Sequence, residues 1–199
     1  MVRKYHRKLR IYIQPSFYLW ISVILIIVPL RWSVAWFFAS LIHEMGHFLT
    51  IIVSRRNLYG VHLRAASVVF ETDIDNRMTE LVCSAAGPFA GLLLVVFSPW
   101  IPRIAICAAV QSIYNLQPFP GFDGGRMLRS VLSAFLHEKT VERVSRTVAG
   151  CYVIISAGII MYIGYLIHGG LCTLLLGGLL VWKSGLIKIT CKSGKPIVQ

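Results

Sequence analysis

The sequence predicts an all-α polytopic membrane protein with six transmembrane helices and a short β-strand-like segment on the cytoplasmic side. Three observations carry that expectation. Of the 199 residues, 56% are hydrophobic and only 14% charged, with a mean hydropathy of +0.70, outside the balance of a soluble domain. Apolar runs recur at lengths near the roughly 20 residues needed to cross about 30 Å of hydrocarbon. All of the 20 lysines and arginines except Arg31 and Arg103 fall on one side of those runs.

The runs cover about 11–30, 33–53, 81–100, 102–118, 147–167 and 169–187, within a single domain, 1–199. The first carries Pro15 and is followed by further runs with no small-residue cleavage site, so it is expected to be a span and not a signal peptide. Between the second and third, residues 57–75 lose the membrane pattern and alternate loosely through Val61, Leu63, Val68 and Phe70, as short strands at the cytoplasmic surface would. Gly87 and Gly91, four apart in the third run, are expected to allow close helix packing, and Pro88 to bend the helix. After the fourth run, 127–138 places Met127, Leu128, Val131, Leu132, Phe135 and Leu136 on one face, a short amphipathic helix for the interface.

Six spans put both termini on one side of a cell membrane, and the basic residues place that side, with both long loops, in the cytoplasm. The net charge of +12 is divided among segments that flank spans, which topology and anionic lipid contact explain; no nucleic-acid partner is expected. Cys83, Cys107, Cys151 and Cys172 lie in apolar runs at no metal-ligand spacing and read as small buried hydrophobes.

One stretch breaks the apolar pattern. LIHEMGHFLT, residues 41–50, sets His43, Glu44 and His47 inside the second run. Histidines four apart on a helix stack on one face about 5–6 Å apart, close enough to share one metal ion. A carboxylate beside the first of them can reach a metal-bound water and take its proton, so the stretch reads as a zinc-hydrolase signature. Exposure to lipid costs ionisable groups several kcal/mol each, which makes them functional by default at this depth. Two histidines leave zinc one protein ligand short. Glu71, Asp73, Asp75, Glu80, Glu138 and His62 are candidates, as is Asp123, which lies in NLQPFPGFDGG, 115–125, where Pro118 and Pro120 end a helix and Gly121, Gly124 and Gly125 permit a sharp return. Taken singly, that stretch also reads as an ordinary Asp-Gly turn.

HEMGH together with Asn115, Pro118, Pro120, Asp123 and Gly124, spaced N-x-x-P-x-P-x-x-D-G, and the AAGP at 85–88 between them, resembles the site-2 protease family of intramembrane zinc metalloproteases over roughly residues 35–130. The six-span layout looks most like the subgroup that processes sporulation sigma-factor precursors. The resemblance implies a single Zn2+, Asp123 as its third ligand beside His43 and His47, Glu44 as the catalytic base, and Asn115 as a substrate-binding residue. It also implies a membrane-associated protein substrate, such as a sporulation sigma-factor precursor, and leaves room for a regulatory membrane protein as partner. Depth agrees: His47 to Arg55 is eight residues, about 12 Å of helix, so the ion would sit in the cytoplasmic half of the bilayer. Asp123, three residues before Arg126, lies on that same side. The rival reading is a membrane metal transporter using the His/Glu helix. No other span holds a His-plus-carboxylate cluster, and nothing in the sequence fixes an oligomeric state.

Overall fold

The computed structural model describes residues 10–166 apart from 66 and 75. Residues up to His137 form one compact unit and those from Glu138 a second. The first unit holds strand β1 (Arg10–Ile13), helices α1 (Pro15–Ile27) and α2 (Leu30–Val53), strands β2 (Leu58–Arg64) and β3 (Ser67–Thr72), helix α3 (Arg77–Leu93) with a 3-10 extension at Leu94–Phe97, and helices α4 (Pro102–Asn115) and α5 (Asp123–Phe135). The second begins with α6 (Glu138–Leu166); the expected sixth span, 169–187, lies outside the described residues.

Two elements correct the reading from sequence. Residues 10–13 are not the start of a span. They pair in parallel with β2, Ile11 against Val61 and Ile13 against Leu63, and the Gln14 N–H continues the ladder to the Leu63 carbonyl at 3.0 Å. Pro15 then takes the first helical position, where its missing N–H costs nothing, so α1 has 13 residues and not the 20 or so of the apolar run. α4 ends at Asn115 and has 14 residues, about 21 Å of helix. Among the described residues, two helices are long and apolar enough to cross a membrane, Leu30–Val53 and Arg77–Phe97. The apolar chains of α1 include no buried residue, and Ile26 is 84% exposed, which suits lipid and not water.

The sheet has order β1-β2-β3, with β2 and β3 antiparallel. Its apolar face includes Phe70, whose ring centroid lies 6.5 Å from that of Phe48 on α2. On its other face Tyr12 stacks on His62 at 4.7 Å, and the His62 ring lies 3.6 Å from the Glu71 carboxylate.

The helices pack through small residues. On α2 every fourth residue from Ala35 through Ala39, His43 and His47 to Ile51 is buried, one ridge of the 3.6-residue period. Ala35 and Ala39 meet Cys107 and Ala108 of α4. α3 runs through Pro88 as one continuous helix. Its start is set by Asn76, whose side chain accepts the Met78 N–H at 2.9 Å, so it begins four residues before the apolar run. The Arg77 guanidinium donates to the Ser133 carbonyl in the last turn of α5, tying α3 to α5.

α2 ends in a Schellman turn. Arg55 takes φ 52, its N–H bonds the Ile52 carbonyl at 2.9 Å, and the Arg56 N–H bonds the Ile51 carbonyl at 3.1 Å. A side chain in this left-handed position costs about 1 kcal/mol relative to glycine. Arg55→Gly is therefore expected to raise unfolding stability by about 1 kcal/mol, and Asn76→Ala to lower it by about 1 kcal/mol through loss of the cap. Denaturant titration of both variants in one detergent, followed by circular dichroism, checks the opposite signs.

Candidate metal centre

The stripe that buries Ala35 and Ala39 also carries His43 and His47 inward, leaving them 3% and 6% exposed. Asp123, 8% exposed, is the first residue of α5. It is brought there by the loop 116–122. Gly121, with φ 97, supplies a left-handed turn that L side chains rarely adopt. Gly124 and Gly125 lie against the backbone carbonyls of Leu116 and Phe119, where a Cβ would collide. The Phe122 ring packs on Tyr114 at 4.9 Å and on Phe119 at 5.9 Å, which pins the turn to the end of α4.

Three atoms converge. His43 Nε2 is 3.1 Å from Asp123 Oδ2, His47 Nε2 is 3.2 Å from the same oxygen, and the two Nε2 atoms are 3.3 Å apart. This near-equilateral triangle is the face of a tetrahedron: ligand atoms about 2.05 Å from a zinc ion lie roughly 3.3 Å from one another. The donor chemistry agrees. His47 Nδ1 donates to the Cys83 carbonyl at 2.7 Å, so in the neutral ring its Nε2 bears a lone pair and not a proton. His43 Nδ1 is buried with no partner among the described residues, and with its proton there His43 Nε2 joins His47 Nε2 and the Asp123 oxygen as a third lone pair, a donor set that fits a divalent cation. Among the described residues this is the group of His, Cys, Asp or Glu side chains suited to holding a metal.

None of the other candidates described in the first unit joins this group. His62 and Glu71 face each other on the sheet. Asp73 accepts from the Asn57 backbone N–H at 2.9 Å and side-chain amide at 2.7 Å. Burial opposes its ionisation, but those hydrogen bonds together outweigh it and hold its carboxyl below the ordinary range. Glu80 is in the first turn of α3, Glu138 opens α6, and Asp75 lies outside the described residues.

Glu44, next to His43 on α2, is half-buried, and its Oε2 is buried with no hydrogen-bond partner among the described residues. The Asn115 side-chain amide, at the end of α4, lies 3.2 Å from His43 Nε2. Two contributors had no counterpart in the reading from sequence. One is the Cys83 carbonyl, a backbone acceptor that residue identity cannot mark. The other is Gly87, read only as a packing glycine. A Cβ there would run into His47 Nε2 and lie 2.9 Å from His43 Nε2, so α3 keeps clear the space the imidazoles face.

Fold and donor set together define a helical protein of membrane type with a sheltered two-histidine, one-carboxylate cation site. No family model matches the chain, and no curated protein matches it. Among solved structures, a site-2 protease from Methanocaldococcus jannaschii is similar, with a TM-score of 0.57 and 18% identity over 95% of this chain and 93% of that one. The chain therefore has a site-2-protease-like fold.

Gly87→Ala is expected to weaken divalent-metal binding at least tenfold while helical content persists. Metal analysis of purified protein against a chelator series, with circular dichroism alongside, checks it; wild-type metal content in the variant would show that the space matters little.

Proposed function

We propose that this protein is an intramembrane zinc metalloprotease that hydrolyses a peptide bond in or near the membrane segment of a membrane-associated protein. The convergence of two imidazole nitrogens and a carboxylate oxygen, with Glu44 next to His43 keeping a buried oxygen without a partner among the described residues, is the observation that carries the reading, and the likeness to a site-2 protease supports it. His43, His47 and Asp123 hold one Zn2+. Bound there, zinc supplies a Lewis acid and a water acidic enough to ionise near neutral pH.

This chain's own groups do the rest. Glu44 takes a proton from the attacking water on its free oxygen as the water oxygen bonds to the scissile carbonyl carbon. It gives that proton to the leaving nitrogen as the C–N bond breaks. The Asn115 amide donates to the substrate carbonyl and orients it. Cys83 fixes the tautomer of His47 through its backbone oxygen.

In this reading the chain spans a cell membrane six times with both termini cytoplasmic. Trp32 and Trp100, both exposed, lie near Arg31 and Arg103 at the ends of helices opposite Arg55 and Arg56, as interfacial anchors would. The catalytic group then sits in the cytoplasmic half of the bilayer. The sporulation sigma-factor precursor suggested by the sequence resemblance is the substrate to test first, together with a regulatory membrane protein as partner.

Co-expression of tethered substrates with wild-type and variant protein tests the reading. Glu44→Gln is expected to lower cleavage by about 10²–10⁴-fold, the range for loss of a general acid-base group, with metal content retained. Asp123→Ala is expected to lose both metal and cleavage. Metal-dependent flux into vesicles that survives Glu44→Gln, with no cleavage product from wild type, would turn the assignment to a transporter.

A further inference from the structure

Asn115 shares its face of α4 with Gln111. Four residues apart, the two have Cβ atoms about 5–6 Å from each other, and both are half-buried. α2 carries a matching pair, Ser40 and Glu44, also four apart and half-buried. Ala35 and Ala39 let α2 approach Cys107 and Ala108 of α4 closely, and polar side chains of the two helices meet at two levels. At one, the Asn115 amide faces His43 Nε2 at 3.2 Å. One turn toward the start of α2, the Ser40 hydroxyl donates to Gln111 Oε1 at 3.3 Å.

Ser40 had a local alternative. Ser22 and Thr50 return their hydroxyls to carbonyls four residues back in their own helices, Tyr18 at 2.9 Å and Gly46 at 3.0 Å. Ser40 instead crosses to α4 and occupies the oxygen end of Gln111. That leaves the Gln111 NH2 group with no partner among the described residues. α4 thus offers two amide donors one helical turn apart.

An extended chain presents carbonyls on one side every two residues, about 6.6–6.8 Å. That repeat suits two flexible amides rooted 5–6 Å apart, whereas a helix has spent its carbonyls internally. We infer that Gln111 is a second substrate-binding residue, donating to a backbone carbonyl two residues from the one held at Asn115, and that Ser40 is the positioning residue that turns the Gln111 donor toward it. The inference rests on the protease reading above and deepens it: the ligand is a membrane segment locally extended over at least three residues, recognised through its backbone.

Binding without cleavage separates this inference from the assignment of the metal centre. In the Glu44→Gln background, fluorescence anisotropy in nanodiscs measures a labelled Leu/Ala span of about 20 residues with a central Gly-Ser-Gly break, and the same span uninterrupted. The interrupted span is expected to bind at least tenfold tighter. Gln111→Met is expected to weaken it about tenfold and Ser40→Ala two- to threefold, with helical content and metal content unchanged. Equal effects of the two variants, as for a bond that only joins helices, would overturn the inference. So would equal binding of the two spans, or no binding of the interrupted one. Should Gln111→Met fail to fold, Gln111→Glu, which keeps the acceptor for Ser40 and loses the donors, decides the point by binding weakly or like the parent. Absence of metal in the parent protein would count against the metal centre and leave this comparison readable.

Discussion

The arrangement depends on one electrostatic constraint. Two imidazole nitrogens and a carboxylate oxygen lie at mutual distances of 3.1 to 3.3 Å in a site nearly closed to solvent. Lone pairs at that range repel, and the low dielectric of a helix interior magnifies the repulsion. A proton can bridge one edge of a triangle and leaves the other two unsatisfied. A divalent cation held by His43, His47 and Asp123 would satisfy all three at once. The buried carboxylate of Asp123 is then part of a balanced charge and not a lone cost.

That constraint explains why the surrounding helices are built from small residues. The same four-residue repeat that carries His43 and His47 inward places alanine at 35 and 39, and a larger side chain there would hold α2 away from α4 and Asn115 away from His43. On the third side, Gly87 lets α3 pass against the ring edges while Cys83, one turn earlier, presents the carbonyl that orients His47. Packing and site use the same periodicity, so the close helices also hold the two imidazoles against the carboxylate.

What the sequence disclosed follows from the range of the interactions involved. His43, Glu44 and His47 were legible because their geometry is local to one helix turn, and α2 begins and ends within three residues of the apolar run. Asp123 was legible as a turn but reached the histidines only by resemblance, since a contact across 80 residues leaves no local trace. β1 was hidden because Ile11, Tyr12 and Ile13 are as apolar as the helix that follows; Pro15 was the visible marker of the true start. The early start of α3 was written in Asn76, a capping residue outside the apolar pattern. The Cys83 carbonyl could not have been read at all, because every residue has one.

His47 and Asp123 are held by independent means, which bears on how such a site would take up a cation. His47 is fixed by a hydrogen bond to α3, whereas Asp123 is fixed by a turn with φ 97 at Gly121, by the Phe122 ring between Tyr114 and Phe119, and by the tie from Arg77 to the last turn of α5. In a site assembled only on binding, ordering the loop and two side chains would be charged against affinity. Here α5 and the loop are already ordered by aromatic and backbone contacts, and the negative end of Asp123 lies at a helix N-terminus, where the dipole favours it. A divalent cation held there would relieve repulsion between groups that these contacts position.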